Sequence, residues 1–299
     1  MEGRQTTASR VQGEELHPTP SAAAISRVLV PVDRHPESRD ALAFGRALSA
    51  RLGADLLLAP IRAERGGLEG GRSAADGQVA SEAIGALTAD PRSSAEVLAD
   101  VDAREIPEVA FAAGADLIVI GAAHRDGLGA SLPGGVAERA LGEAPCAVAV
   151  APRGLAERTV GFDHIAIGYD RSRESRAALR TASWIASQCG ARLSVLSAVE
   201  VGVPMGGIDA TRLRDEEEER ITHDLAETLA AASAAVAVGS PRMLHGPAER
   251  VVPDAASGAD LLVLGSRAQY GPAFGVRLGN IAAKALLAAR YTVLITPAS

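Results

Sequence analysis

The chain carries one pattern twice. "DRHPESRDAL" begins at Asp33 and "DRSRESRAAL" at Asp170, 137 residues apart. "GADLIVIG" ends at Gly121 and "GADLLVLG" at Gly265, 144 residues apart. Solenoid units repeat every 20–50 residues or so, so this spacing is far too long for a solenoid. It marks a domain duplicated whole, with a few residues more in the second copy. The expected organisation is a polar tail of disordered character over 1–24, a first domain over 25–153, a linker over 154–161 and a second domain over 162–299.

Each copy alternates strand and helix patterns. "RVLVPVD" and "HIAIGYD" are short apolar runs, each closing on an aspartate. Ala41, Gly45, Leu48 and Leu52 follow at helical spacing, as do Ala178, Ala182, Ile185 and Cys189. Such spacing gives a helix one core-facing stripe. Ser38 and Ser175 fit a helix cap or first turn, and Gly53 and Gly190 fit helix ends. "ADLLLAPI" and "ARLSVLSAV" read as second strands, "DLIVI" and "DLLVL" as fourth, "CAVAVAP" and "YTVLITP" as fifth. The third section is less regular. The first copy has a loop, a helix near 81–87 and a strand near "AEVLADV"; the second has a long polar helix bearing "RDEEEER" and a strand near "PRMLHG". Continuous apolar strands between helices predict a parallel sheet covered on both faces.

Composition narrows the function. A net charge of −7 argues against a nucleic-acid surface and against docking on an anionic membrane. Cys146 and Cys189 lack metal-ligand spacing, and two cysteines make no disulfide framework, which fits a reducing cytoplasm. No apolar run reaches the length of a membrane span, and 1–24 lacks the apolar core of a signal peptide. Trp184 is expected in the core and Cys146 buried.

In a doubly wound sheet a ligand binds beyond the carboxyl ends of the strands, where the strand order reverses. With the order 3-2-1-4-5, Asp33 shares a crevice with the loop after Gly121, and Asp170 with the loop after Gly265. Both loops, "GAAHRDGLGASLPGG" and "GSRAQYGPAFGVRLGN", lead toward a helix, whose N-terminus can receive an anion. Neither is a P-loop, because no Lys-Ser or Lys-Thr follows the glycines. The plainer reading is that these glycines only make turns. Arg267 could reach a phosphate. His35 and His124 could join Asp33 around a metal or phosphate, although exposed loop histidines are the preferred reading. No nucleophile with a partnered base is evident.

A strand-closing aspartate, "ESRxAL", a Gly-x2-Gly-x9-Gly-Ser/Thr loop and the ending "ERALGEAPCAVAVAP" together resemble the universal stress protein family, here as a tandem member. The resemblance implies two Rossmann-like, adenine nucleotide alpha hydrolase-like domains, each a five-stranded parallel sheet of order 3-2-1-4-5 with helices on both faces. In that family the loop glycines and hydroxyl hold phosphates and ribose, and the aspartate lies near the adenine. Transferred here, the site residues are Asp33, Gly121, His124, Gly134 and Gly135 in the first half. In the second they are Asp170, Gly265, Arg267, Gly279 and Asn280. The motif is eroded. His124 stands at the second glycine and Gly135 at the hydroxyl. In the second half Ala268 replaces that glycine, one residue is inserted, and Asn280 takes the hydroxyl's place. "LHGPAE" keeps the family's pattern after the third strand, whereas "DVDAREIPE" does not.

The resemblance thus implies a cytoplasmic regulatory protein of stress adaptation, sensing ATP or a related adenine nucleotide in one half, with or without Mg2+. It implies no enzyme beyond slow ATP hydrolysis. The fifth strands are expected to join the halves as an internal pseudo-dimer; two chains can associate further as a homodimer, and a protein partner of unknown identity would read the state. The rival expectation is an interaction protein with degenerate crevices that works through its surfaces alone. A third is an enzyme acting on a phosphorylated metabolite with His124 as general acid.

Overall fold

The computed structural model describes residues 24–33, 35–62, 95–99, 101–122, 144–200, 210–232, 238, 240–266, 279–288 and 290–297. In the first half these form β1 (Arg27–Val32), α1 (Pro36–Leu52), β2 (Asp55–Pro60), β3 (Ala95–Val97), α2 (Ile106–Ala112), β4 (Leu117–Gly121) and β5 (Ala147–Ala151). In the second they form β6 (His164–Gly168), α3 (Arg173–Cys189), β7 (Arg192–Val199), α4 (Ala210–Ala232), β8 (Arg242–His245), α5 (Ala248–Ala255), β9 (Leu261–Ser266), α6 (Asn280–Ala288) and β10 (Thr292–Pro297).

The strands make one ten-stranded sheet of order β3-β2-β1-β4-β5-β10-β9-β6-β7-β8. Within each half the pairings are parallel, and each half has the order 3-2-1-4-5. The halves meet where β5 pairs antiparallel with β10, placing Val150 opposite Val293 and Val148 opposite Ile295. Alternation along the strands feeds two cores. Val28 and Val30 pack with Phe44 and Leu48 of α1, and that core continues through α3 and α4. Leu29 faces the other way, toward Ile106 and Ala110 of α2, in a core shared with α5 and α6.

The helix stripes lie as the spacing predicts. Ala41, Leu48, Ala178, Ala182 and Ile185 are fully buried. Gly53 and Gly190 end their helices in the left-handed conformation, at φ 66° and 67°, which glycine adopts without strain. Ser38 and Ser175 sit in first turns, while His35 and Ser172 hold the cap positions. Trp184 is half-buried against the first core and not inside it. Cys146 is buried as expected, and burial pushes its thiol well above the usual range. "RDEEEER" lies on α4 and "RMLH" forms β8, as read from the pattern. "AEVLADV" yields the short β3 and a single bridge from Val101 to Ile61. The helix expected near 81–87 lies outside the described residues.

Polar contacts strap the junction. Asp40 of α1 is buried, and its carboxylate accepts the N–H groups of Gly154 (3.0 Å) and Ala156 (2.8 Å) in the inter-domain linker. Beside it, the rings of Phe44 and Phe162 pack across the halves at 5.5 Å between centroids.

Candidate functional site

Because β5 and β10 run antiparallel, the carboxyl ends of the strands in the two halves open in opposite directions along the sheet. Asp33 follows β1, which lies beside β4 ending at Gly121. Asp170 lies just beyond β6, which lies beside β9 bearing Gly265. The structure therefore brings together the expected aspartate and strand-end glycine in each half. His124, Gly134, Gly135 and Arg267 lie outside the described residues.

The two aspartates are held differently. Asp33 is half-buried; its Oδ1 accepts the Ser38 hydroxyl at 2.5 Å and the His35 N–H at 2.9 Å. Its own N–H donates back to Ser38 Oγ at 3.1 Å, so carboxylate and hydroxyl close the turn into α1. Asp170 is exposed; it accepts the Ser172 N–H at 3.0 Å, and its own N–H donates to Ser175 Oγ at 3.3 Å, as in the first half. Here Ser172 takes over the capping, accepting from Ser175 N at 3.1 Å, and the Ser175 hydroxyl donates to the Ser172 carbonyl.

The strand-end glycines do packing work. A methyl at Gly121 would overlap the Glu37 carbonyl, and one at Gly265 the Glu174 carbonyl. Each glycine lets the first turn of the helix after the neighbouring strand, α1 after β1 or α3 after β6, lie directly on the strand end. Gly279 is the opposite case, with no described residue within 4 Å of where its Cβ would stand. Gly279 and Asn280 are exposed at the start of α6, and Gly279 accepts the Ala283 N–H at 3.0 Å. On the far side of the crevice, Gly246 after β8 has φ 125° and Pro247 caps α5.

The wall of the second crevice holds a polar clasp that the sequence patterns did not disclose. The Tyr169 side chain is buried and donates its hydroxyl to Asp224 of α4, with Thr228 Oγ1 at 3.2 Å. Arg176 of α3 grips both oxygens of Asp224, one through Nε at 3.2 Å and the other through its terminal nitrogen. That bond first, with the Tyr169 hydroxyl behind it, holds the Asp224 carboxyl below its usual range against the opposing effect of burial. Burial foremost, with the hydrogen bond to Asp224, pushes the Tyr169 phenol up to about 12. Arg171, at φ 65°, pairs with Glu217 of α4. The one signal in the sequence was Tyr169 itself, where the first half has Val32. Among the described residues no group of three His, Cys, Asp or Glu side chains is placed to hold a metal ion. None of the described helices is long and apolar enough to cross a membrane.

Known proteins match this architecture. The sequence profile of the Universal stress protein family matches twice, over 24–152 and 161–297. The chain belongs to the universal stress protein family. It carries two of the family's domains in tandem, each with the Rossmann-like fold. No curated protein matches it. A functionally unknown protein from Pseudomonas aeruginosa PAO1 has a similar structure over 94% of this chain and 95% of its own, with 20% identity and a TM-score of 0.65. A universal stress protein from Archaeoglobus fulgidus DSM 4304 is similar over 91% of this chain and 96% of its own, with 17% identity and a TM-score of 0.58. At these identities the likeness speaks for the fold alone.

Proposed function

We propose that this tandem universal stress protein is a cytoplasmic regulator of stress adaptation that takes ATP or a related adenine nucleotide into the crevice of its second half. The observation that carries the choice of half is the contrast between the aspartates. Asp33 is tied into its own turn by a hydroxyl and an N–H. Asp170 is exposed, and an exposed carboxylate can exchange its present bonds for those of a ribose or adenine donor. The open, exposed Gly279 and Asn280 suit the phosphate end, where backbone N–H groups and a helix N-terminus favour an anion. Mg2+, where it accompanies the nucleotide, would ride on the phosphates. Occupancy would act by favouring one partner-binding state over another, since a ligand works only through differential affinity.

A second reading has its own support. Gly121 and Gly265 are accounted for by helix packing, which leaves crevices that need bind nothing and a protein that works through its surfaces. Native mass spectrometry of the purified chain with added ATP separates the two. One nucleotide per chain, lost in Asp170→Ala and kept in Asp33→Ala, is the expected result. A chain that stays bare in millimolar ATP establishes the second reading.

A further inference from the structure

The turn from β6 into α3 and the start of α3 hold α4 through Tyr169, Arg171 and Arg176, and the three are unequal. Tyr169 and Arg176 converge on Asp224, whose two oxygens are both engaged. Ile221 and Leu225 are buried between Glu217 and Thr228, so this face of α4 lies along the turn. Arg171 is held less completely. One terminal nitrogen bonds Glu217 Oε1, while Glu217 Oε2 accepts from Arg220 at 3.3 Å. Its Nε is sealed from water with no hydrogen-bond partner. A buried donor left unmade is costly. Arg171 is also the non-glycine residue with positive φ among the described residues, a backbone state that such residues hold at a cost.

With the ribose at Asp170 and the outer phosphates at Gly279 and Asn280, the phosphate nearest the ribose would meet the like charge of Asp170 and need a cation. Arg176 is committed to Asp224. Arg171 is adjacent to Asp170 in the chain and has a donor to spare. A guanidinium binds phosphate through two parallel N–H groups. Turning from Glu217 to a phosphate would employ Nε together with a terminal nitrogen and remove the unmade bond.

We propose that Arg171 reads the charge of the second crevice's ligand, exchanging Glu217 for a phosphate and so loosening α4 from the turn. The inference rests on the reading that this crevice takes an adenine nucleotide. It adds which residue distinguishes nucleotide from nucleoside, and which helix reports the difference. Glu217 is then the internal competitor that a phosphate displaces, and a nucleoside would leave the pair intact.

The test is hydrogen exchange of the full chain, read by mass spectrometry, with ATP and with adenosine at matched occupancy. ATP should raise exchange severalfold in 213–221, and adenosine should not. Glu217→Gln should raise that exchange without ligand and tighten ATP about threefold, as expected for removing a half-exposed ionic competitor. Arg171→Lys keeps the charge but loses the fork, and should weaken ATP about tenfold while leaving adenosine unchanged. Bound ATP with unaltered exchange in α4, an equal response to adenosine, or an Arg171→Lys loss shared by both ligands would each overturn the proposal while leaving nucleotide binding intact. Failure of both ligands to bind would remove the underlying reading, and this inference with it.

Discussion

A methyl group at Gly121 would overlap the carbonyl of Glu37, and one at Gly265 the carbonyl of Glu174. Neither neighbour is the flexible end of a side chain; both are helix backbone, so the helix itself would have to move. Gly121→Ala and Gly265→Ala should each cost about 1–3 kcal/mol, the usual penalty of overpacking. Gly279→Ala meets none of the described residues and should stay within about 0.5 kcal/mol. Urea midpoints of the three variants against the parent chain decide it. Tyr169 and Tyr291 allow a test by pH. Both phenols are pushed up to about 12, each chiefly by burial, against about 10 in an unfolded chain. Between these values the unfolded chain has lost the protons and the folded chain still holds them. Their contribution to stability is therefore complete below about pH 10 and drains away as pH rises toward 12. Urea titrations at pH 9, 10 and 11 should show a steeper decline for the parent chain than for Tyr169→Phe. Equal slopes would mean that Tyr169 titrates as an exposed phenol.

At the scale of elements, what could be read from the sequence was what local periodicity encodes. The stripe Ala41, Gly45, Leu48 and Leu52 made α1, and its copy made α3. Gly53 and Gly190 closed both, and unbroken apolar runs gave a parallel sheet. The strand order followed from the family resemblance and is the order found. What stayed hidden were contacts between elements distant in the chain, because no spacing announces them. Asp224 looks like one more acid on a charged helix, yet it receives Tyr169 and Arg176 from the opposite side of the crevice wall. Gly265 reads as a candidate ligand contact, and what its letter does not announce is that it also makes room for the Glu174 carbonyl. The pattern left Ser38 between cap and first turn: it bonds the Asp33 carboxylate from inside the first turn, and His35 holds the cap position. The clasp has a measurable worth. Asp224→Ala strands a buried phenol and a guanidinium together, and hydrogen bonds to charged groups contribute about 1.5–3 kcal/mol. The loss should fall in that range and exceed that of Glu217→Gln. Because Arg176 holds the Asp224 carboxyl below its usual range, the contribution is present above the ordinary carboxylate pKa and disappears as pH falls through the lowered one. A denaturation series from pH 6 downward should show the parent and Asp224→Ala converging in acid.

The molecule as a whole depends on β5 and β10. β5 reads "AVAVA", every residue of it buried, and it has no charge with which to discourage pairing along an open edge. Burial against β10 removes that edge, and the antiparallel register makes the two halves near-equivalent partners across a local two-fold. The linker adds an asymmetric strap. Asp40 binds Gly154 and Ala156, whereas Ala177 stands at the matching position of α3. Among the described residues, strand pairing with the Phe44–Phe162 contact and the linker fixed by Asp40 both hold the halves together. They can be separated. Asp40→Ala should cost about 1–2 kcal/mol, since exposed linker amides can turn partly to water, and should leave the chain joined. A fragment spanning 24–158 keeps Asp40 and its linker partners but loses β10. Its β5 would then find the most similar edge available, the β5 of a second copy, because a two-fold contact needs one self-complementary patch. Light scattering of that fragment should give the mass of two copies. A monodisperse single copy would mean that the strands meet because the linker and helices bring them together, and that the sheet's continuity is a consequence of the junction and not its cause.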